Sequence, residues 1–147
     1  AASDLKIAIY PHTGDYVART SHAFEIANAT GRKNVGIAFN LCHWLANTTK
    51  EERSSLKQQL RTFSPKIYMV TINGANDVMT DKKFIWDDYI LPLGQGNFNT
   101  YEVVRFLIKD LKLTAPIGVQ CYGIKADKPA LVRSTMEVWK EYLRKMK

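Results

Sequence analysis

One apolar run that turns polar at its end decides the fold: Val35-Gly36-Ile37-Ala38-Phe39-Asn40-Leu41-Cys42-His43-Trp44. Because side chains along a strand alternate every two residues, the small residues Gly36 and Ala38 share one face with Asn40. We expect this small face to border a barrel interior and the bulky face to lie under helices. Parallel α/β proteins build their sites where a buried strand breaks into polar groups at its carboxyl end. Asn40, Cys42 and His43 mark such an end.

Working outward from this strand, apolar patterns of strand and helix type alternate along the chain. The predicted strands are 5–10, the stretch around Val35, 66–72 and 116–122. The predicted helices are 16–29, 48–62, 99–111 and a last one from Asp127. The order βαβαβαβα predicts an α/β fold of parallel strands with right-handed crossovers, in a single domain spanning 1–147.

Three helix starts carry recognisable signals. Thr48-Thr-Lys-Glu51 has the form of a capping box, in which a hydroxyl and a carboxylate satisfy each other's backbone amides. Asn99 with Glu102 predicts the third helix, and Asp127-Lys128-Pro129 predicts the last. The connection 73–99 is long and rich in glycine and aromatic residues, which is typical of binding loops.

Composition and charge exclude several classes of protein. Hydrophobic residues are 46% and charged residues 24% of the chain, which is typical of globular domains, and no apolar run is long enough to span a membrane. From Lys125 onward, seven basic and three acidic residues supply +4 of the net charge of +7. They alternate with apolar residues at helical spacing, which indicates a solvated helix face and argues against a nucleic-acid groove. We place Cys42 and Cys121 in strands as buried free thiols, which favours a reducing, cytoplasmic location.

The four predicted strands place polar groups in the same register. Each ends in a hydrogen-bonding side chain, in order Tyr10, Asn40, Thr71 and Gln120. One step further lie His12, Cys42, Asn73 and Tyr122. In a parallel barrel these positions converge at the catalytic mouth. The alternative is that polar residues only mark the points where strands become loops.

Several segments together resemble the xylose isomerase-like TIM barrels, the sugar phosphate isomerase/epimerase superfamily. The segments are Ile7-Ala-Ile-Tyr-Pro-His12, Gly36-Ile-Ala-Phe-Asn-Leu-Cys-His43, Val70-Thr-Ile-Asn-Gly74, Leu93-Gly-Gln-Gly96 and Pro116-Ile-Gly-Val-Gln120. The match runs along nearly the whole chain but only to strands five to eight of the barrel. The resemblance therefore implies a parallel (βα)4 half of a TIM barrel.

The same resemblance implies a divalent metal held by Glu on strand five, Asp-x-x-His on six, His on seven and Glu on eight. At the matching positions this chain has Tyr10, Asn40 with His43, Thr71 and Gln120, so only the strand-six His is kept. Hard divalent ions prefer anionic oxygens, and amides cannot act as general bases. We therefore assign no metal ligand and no definite cofactor. A divalent metal on the two histidines with amide oxygens stays open.

Two functions follow, and a third is disfavoured. The first is an isomerase- or epimerase-like protein for a sugar or sugar phosphate, with replaced metal ligands and with acid–base chemistry from His43 and His12. Its substrate-binding residues would be Tyr10, Asn40, Thr71, Asn73, Gln120, Tyr122 and Lys125, the last near any phosphate. The second is a non-catalytic carbohydrate-binding protein using the same pocket. A nuclease of the related apurinic-site endonuclease type lacks its acidic and His ligands here.

Half a barrel also predicts a partner. A closed (β/α)8 barrel takes ~200 residues or more, and four strands alone leave two open edges. We expect this chain to be a fragment of a longer one, or to be completed by a second copy or by a separate amino-terminal half.

Overall fold

The computed structural model describes residues 5–80 and 84–147. Four parallel strands form one sheet in the order β1-β2-β3-β4. The strands are β1 (Ile7–Ile9), β2 (Val35–Asn40), β3 (Ile67–Ile72) and β4 (Ile117–Val119). The helices are α1 (Thr20–Ala29), α2 (Leu41–Ala46), α3 (Leu56–Phe63), α4 (Trp86–Tyr89), α5 (Thr100–Arg105) and α6 (Lys128–Lys145). The predicted alternation and the parallel sheet of a half TIM barrel are confirmed.

Contacts divide the chain into two compact units. The first unit comprises Ala1–Thr71 and Thr114–Gly118, and the second comprises Ile72–Leu113 and Val119–Lys147. No described helix combines the length and the apolar character of a membrane span.

The core of the first unit surrounds β2, every residue of which is buried. Small residues on α1, Ala23 and Ala27, are fully buried and let this helix approach the sheet closely. The rings of Phe24 and Phe63 meet with their centroids 4.9 Å apart and tie α1 to α3. Because β2 is packed on all sides, the position of the polar residue at its carboxyl end, Asn40, is fixed by the core.

Gly36 permits the close approach of β2 and β3. A Cβ added to Gly36 would lie 2.3 Å from the Lys66 carbonyl oxygen and 2.6 Å from the Tyr68 ring. Those distances are below van der Waals contact, so only glycine fits at this point of the strand. The register between the two strands shifts directly after this position, between Ile37 and Ala38.

The second unit holds the connection 73–99, which contains α4 and a short antiparallel bridge between Gly74 and Leu91. Asn99 caps α5 by accepting from the Glu102 amide, as predicted, and α5 continues into a π-helical turn, Phe106–Asp110. Asp127 caps α6 by accepting from the Ala130 amide, also as predicted. These two helix starts were therefore readable from side-chain spacing alone.

Some expected boundaries were wrong. The stretch after Asn40 is the helix α2, because the Asn40 side chain caps it at once, so Cys42 lies in a helix and is buried. Cys121 follows β4 and is exposed, since β4 is only three residues long. The expected capping box is displaced by one residue: Thr49 and Glu52 accept from each other's amides, at 3.3 and 2.7 Å.

Thr48 instead donates its hydroxyl to the Trp44 carbonyl at the end of α2. The segment after the capping box is a 3-10 turn, Glu52–Ser55, that leads into α3. The helix α1 begins at Thr20, four residues later than expected.

Candidate functional site

The carboxyl ends of β1 and β2 bring five polar side chains together in the first unit. We call them the histidine cluster: Tyr10, His12, Thr13, Asn40 and His43. The strands are adjacent and parallel, so the loop after β1 meets the start of α2. The imidazole centroids of His12 and His43 are 4.2 Å apart, and the Tyr10 ring meets His43 edge-on at 5.8 Å. The sequence predicted four of these residues together.

Asn40 fixes the floor of the histidine cluster. Its side chain is 1% exposed, and its Oδ1 accepts from the His43 amide at 3.3 Å and from the Cys42 thiol at 2.9 Å. Its Nδ2 donates to the Tyr10 hydroxyl. These contacts orient the amide and pin Tyr10 above it, so Asn40 works both as the cap of α2 and as a link between two strand ends.

His43 is held in one tautomer. Its Nδ1 accepts from the Thr13 backbone amide at 3.1 Å, and the Thr13 hydroxyl lies 3.0 Å from the same nitrogen. A backbone N–H can only donate, so Nδ1 carries no proton and the ring proton sits on Nε2. Burial, and to a smaller extent the nearby His12, lower the pKa of His43 from 6.5 to about 4. His43 is therefore a neutral hydrogen-bond donor at neutral pH.

His12 is the accessible imidazole of the pair. Its side chain is 47% exposed, and its Nδ1 lies 3.5 Å from an Asp15 carboxylate oxygen. A carboxylate beside Nδ1 favours the tautomer with its proton on that nitrogen, so Nε2 is the nitrogen available as a proton acceptor.

Thr71 extends the histidine cluster to the third strand. It pairs in register with Asn40, and its hydroxyl oxygen is buried and has no hydrogen-bond partner among residues 5–80 and 84–147. An orphaned buried hydroxyl is uncommon and is a group that a bound ligand could satisfy.

The remaining expected residues lie in the second unit, where their settings differ. Asn73 is fully buried and donates to the Gly74 and Tyr89 carbonyls, and its Oδ1 has no partner in the described part of the chain. The Gln120 side chain folds back to accept from the Cys121 and Tyr122 amides. Tyr122 and Lys125 line a cavity of about 370 Å³ together with Trp86.

Sequence reasoning missed Thr13, Asp15 and Asn47. Thr13 accepts from the Asn47 side-chain amide at 2.7 Å, and Asn47 also donates to the His43 carbonyl at 2.8 Å. Thr13 and Asp15 follow His12 directly, so their closeness was available as a signal. No sequence signal pointed to Asn47. It follows the carboxyl end of α2, a helix that was not expected, and that helix brings Asn47 next to Thr13 and His43.

The donors in the histidine cluster do not fit the divalent metal that the barrel resemblance implies. Among residues 5–80 and 84–147, no three His, Cys, Asp or Glu side chains gather as a metal-binding group. Tyr10 and Asn40 are neutral, and a metal-ligating His normally donates its second ring N–H. In His43 that second nitrogen accepts from Thr13, which is the opposite polarity.

Fold and strand-end site together define the class of protein, a parallel α/β half-barrel. The chain belongs to the xylose isomerase-like TIM barrel family, whose model matches residues 1–142. No curated protein sequence matches it. The expected family resemblance is thus confirmed.

Solved structures agree with the fold. The IolI protein, solved with a bound zinc atom, superposes with a TM-score of 0.67 at 22% identity, covering 97% of this chain and 50% of that one. A D-tagatose 3-epimerase-like protein superposes with a TM-score of 0.67 at 23% identity, and the match covers 96% of this chain and 48% of that one. A xylose isomerase-like TIM barrel/4-hydroxyphenylpyruvate dioxygenase fusion protein superposes with a TM-score of 0.65 at 12% identity, and the match covers 92% of this chain and 21% of that one. The chain spans about half the length of the first two.

Proposed function

We propose that this chain is the carboxyl-terminal half of a sugar or sugar-phosphate isomerase/epimerase-like barrel in which neutral side chains replace the usual metal ligands. The observation that carries the proposal is the histidine cluster. Two imidazoles with centroids 4.2 Å apart and a Tyr10–Asn40 pair lie at adjoining strand ends, and the structural relatives of the chain include an epimerase-like protein. Amide, hydroxyl and imidazole groups of this kind pair well with sugar hydroxyls.

Proton transfer in this proposal belongs to His12. Isomerisation or epimerisation removes a proton from a carbon next to a carbonyl, and the electron pair left behind moves onto the carbonyl oxygen. In an isomerisation, His12 Nε2 takes that proton and returns it to the neighbouring carbon, while the hydroxyl proton on that carbon moves to the former carbonyl oxygen. In an epimerisation, the proton that arrives on the opposite face comes from water, and His12 releases the first proton to solvent. The neutral His43 donates from Nε2 to the oxygen where negative charge develops. His43 thus keeps a catalytic role, as a donor and not as a base.

The substrate contacts are proposed on two grounds. Tyr10, Asn40 and Thr71 are supported by their place around the two imidazoles or opposite them in the sheet. The sequence register at the strand ends is the support for substrate contacts by four further residues: Asn73, Gln120, Tyr122 and Lys125. For Tyr122 and Lys125 the shared cavity adds support.

A second candidate is a carbohydrate-binding protein without catalysis. The observation that favours it is the hydrogen bond from the Thr13 amide to His43, because it prevents one of the two imidazoles from acting as a base. In that case the same cluster recognises sugar hydroxyls and His12 serves only as a hydrogen-bonding group.

Hydrogen exchange separates the two functions. The full chain is incubated in D2O with ketoses, aldoses and their phosphates, and deuterium at the carbon next to the carbonyl is followed by NMR. The enzyme function predicts exchange that falls by about a hundredfold or more in His12→Gln, the usual contribution of a general base. His22→Gln, a histidine on α1 outside the cluster, is the matched control and keeps the wild-type rate.

Sugar binding by calorimetry without exchange would support the binding protein. If the chain shows no binding and no exchange with any of these sugars, both functions are refuted. Light scattering on the same sample tests how the barrel is completed. A dimer supports pairing of two copies, and a well-behaved monomer counts against completion by a second copy or by a separate amino-terminal half.

A further inference from the structure

A polar cavity of about 230 Å³ opens at the amino end of α1 and is not used by the function proposed above. It lies wholly in the first unit. Arg19, Thr20 and Ser21 form one side, and Asn47 and Glu52 contribute from the segment after β2. Trp44 and Phe63 close its base with apolar surface and are almost fully buried.

The start of α1 is uncapped. Its N-cap residue is Arg19, in an extended conformation, and the Arg19 side chain makes no capping hydrogen bond. The amides of Thr20, Ser21 and His22 therefore have no partner among the described residues, and they carry the positive end of the helix dipole. Such amides are normally satisfied by a capping oxygen, by water or by a bound anion.

The Thr20 side chain is the independent indication of a ligand. Thr20 is 4% exposed and lines the cavity, yet within residues 5–80 and 84–147 its hydroxyl makes no hydrogen bond. The hydroxyl oxygen is not among the fully enclosed unpaired atoms of the described residues, so it faces accessible space, which at this position is the cavity. Thr20 and Ser21 both line the cavity, so this hydroxyl and two of the three free helix amides belong to one site.

Arg19 is fixed in place beside these donors. Its Nε and Nη2 donate to the Asn47 carbonyl at 3.2 and 2.7 Å, and Nη2 also reaches both carboxylate oxygens of Glu52, at 3.1 and 3.2 Å. Glu52 is occupied in turn, because it accepts from the Thr49 amide. Nη1 has no such bond in the part of the chain that the structure describes. The cavity is thus rich in oriented donors, and its single carboxylate is already neutralised.

We propose that this cavity binds a phosphate group. The ligand oxygens would accept from the helix amides, the Thr20 hydroxyl and Arg19 Nη1, a charge-assisted arrangement suited to a tetrahedral anion. Asn47 connects it to the histidine cluster, because its carbonyl holds Arg19 while its side-chain amide holds Thr13 and the His43 carbonyl. The phosphate of a sugar phosphate whose carbon chain lies at the histidine cluster is one source, and that reading rests on the proposed function. Free phosphate is the other source.

Calorimetry with inorganic phosphate, on the full chain at low ionic strength, tests the site. Arg19→Gln should weaken binding about tenfold or more, as expected for loss of a charged donor, and Thr20→Val about two- to tenfold. Glu52→Gln keeps the capping box, removes the only carboxylate, and should tighten binding about threefold. Arg32→Gln, an exposed arginine elsewhere in the first unit, is the charge-matched control and should have no effect.

Phosphate binding that is absent, or that weakens equally in Arg32→Gln and Arg19→Gln, would overturn the site. Binding that depends on Lys125 and not on Arg19 would also overturn it. Sugar phosphate that binds more tightly than inorganic phosphate through Arg19 supports the ester as ligand, and equal affinity supports the free anion. Free sugar that binds while phosphate does not would remove this inference and leave the proposed function standing.

Discussion

The strongest single prediction concerns the dependence of stability on His43. Burial lowers its pKa from 6.5 in the unfolded chain to about 4 in the folded protein. Between these values the unfolded chain binds a proton that the folded protein does not, so the free energy of unfolding falls as the pH falls. The stability is fully present above pH 6.5, and the loss is about 1.4 kcal/mol at pH 5.5 and about 2.5 kcal/mol at pH 4.5.

Urea denaturation of wild type and His43→Asn between pH 7.5 and 4.5 measures this loss. An Asn side chain keeps an oxygen near the position of Nδ1 for the Thr13 amide, but it cannot be protonated, so only the slope with pH is compared. The free energy of unfolding of wild type minus that of His43→Asn should fall by about 2.5 kcal/mol from pH 7.5 to pH 4.5. His22→Asn should keep the wild-type slope. Equal slopes for wild type and His43→Asn would refute both the low pKa and the tautomer assigned to His43.

Two further predictions concern close packing and thiol reactivity. Gly36→Ala should destabilise the protein by about 2 kcal/mol or more, because its Cβ would overlap the Lys66 carbonyl. Gly118→Ala is the matched strand control and should be tolerated, since the nearest atoms to its Cβ would lie 3.9 Å away. Chemical denaturation of both variants measures the change in the free energy of unfolding. Equal losses of stability in the two variants would contradict the packing argument. Iodoacetamide should label Cys121 in the folded protein and Cys42 only after unfolding, because Cys42 is buried and its pKa is raised to about 12. Mass spectrometry identifies the site, and prompt labelling of Cys42 would show that α2 opens.

The order of strands and helices was predictable because each element carries its own periodicity. The cap residues Asn99 and Asp127 were predictable for a similar reason, since a capping oxygen acts on an amide three residues away. These are local relations. They hold whatever the rest of the chain does, so a sequence pattern is enough to find them.

The helix α2 was hidden for a physical reason. Its apolar residues follow directly on those of β2, so the run reads as one buried strand that ends in a loop. What ends the strand is the Asn40 side chain, which turns back to accept from the His43 amide. Asparagine is common both at strand ends and at helix starts, and only the geometry of the chain after it separates the two.

The chemistry of the candidate site depends on contacts that no local pattern carries. Sequence register placed His12 and His43 at neighbouring strand ends and gave them similar roles. The structure separates those roles, because Thr13 donates its amide to one imidazole and Asp15 faces the other. The Thr13 contact, which prevents His43 Nδ1 from accepting a proton, crosses 30 positions of sequence, whereas the Asp15 contact of His12 is local. In the proposed function, a neutral His43 beside an accessible His12 still forms a donor and acceptor pair, so the proposal does not need metal ligands for proton transfer.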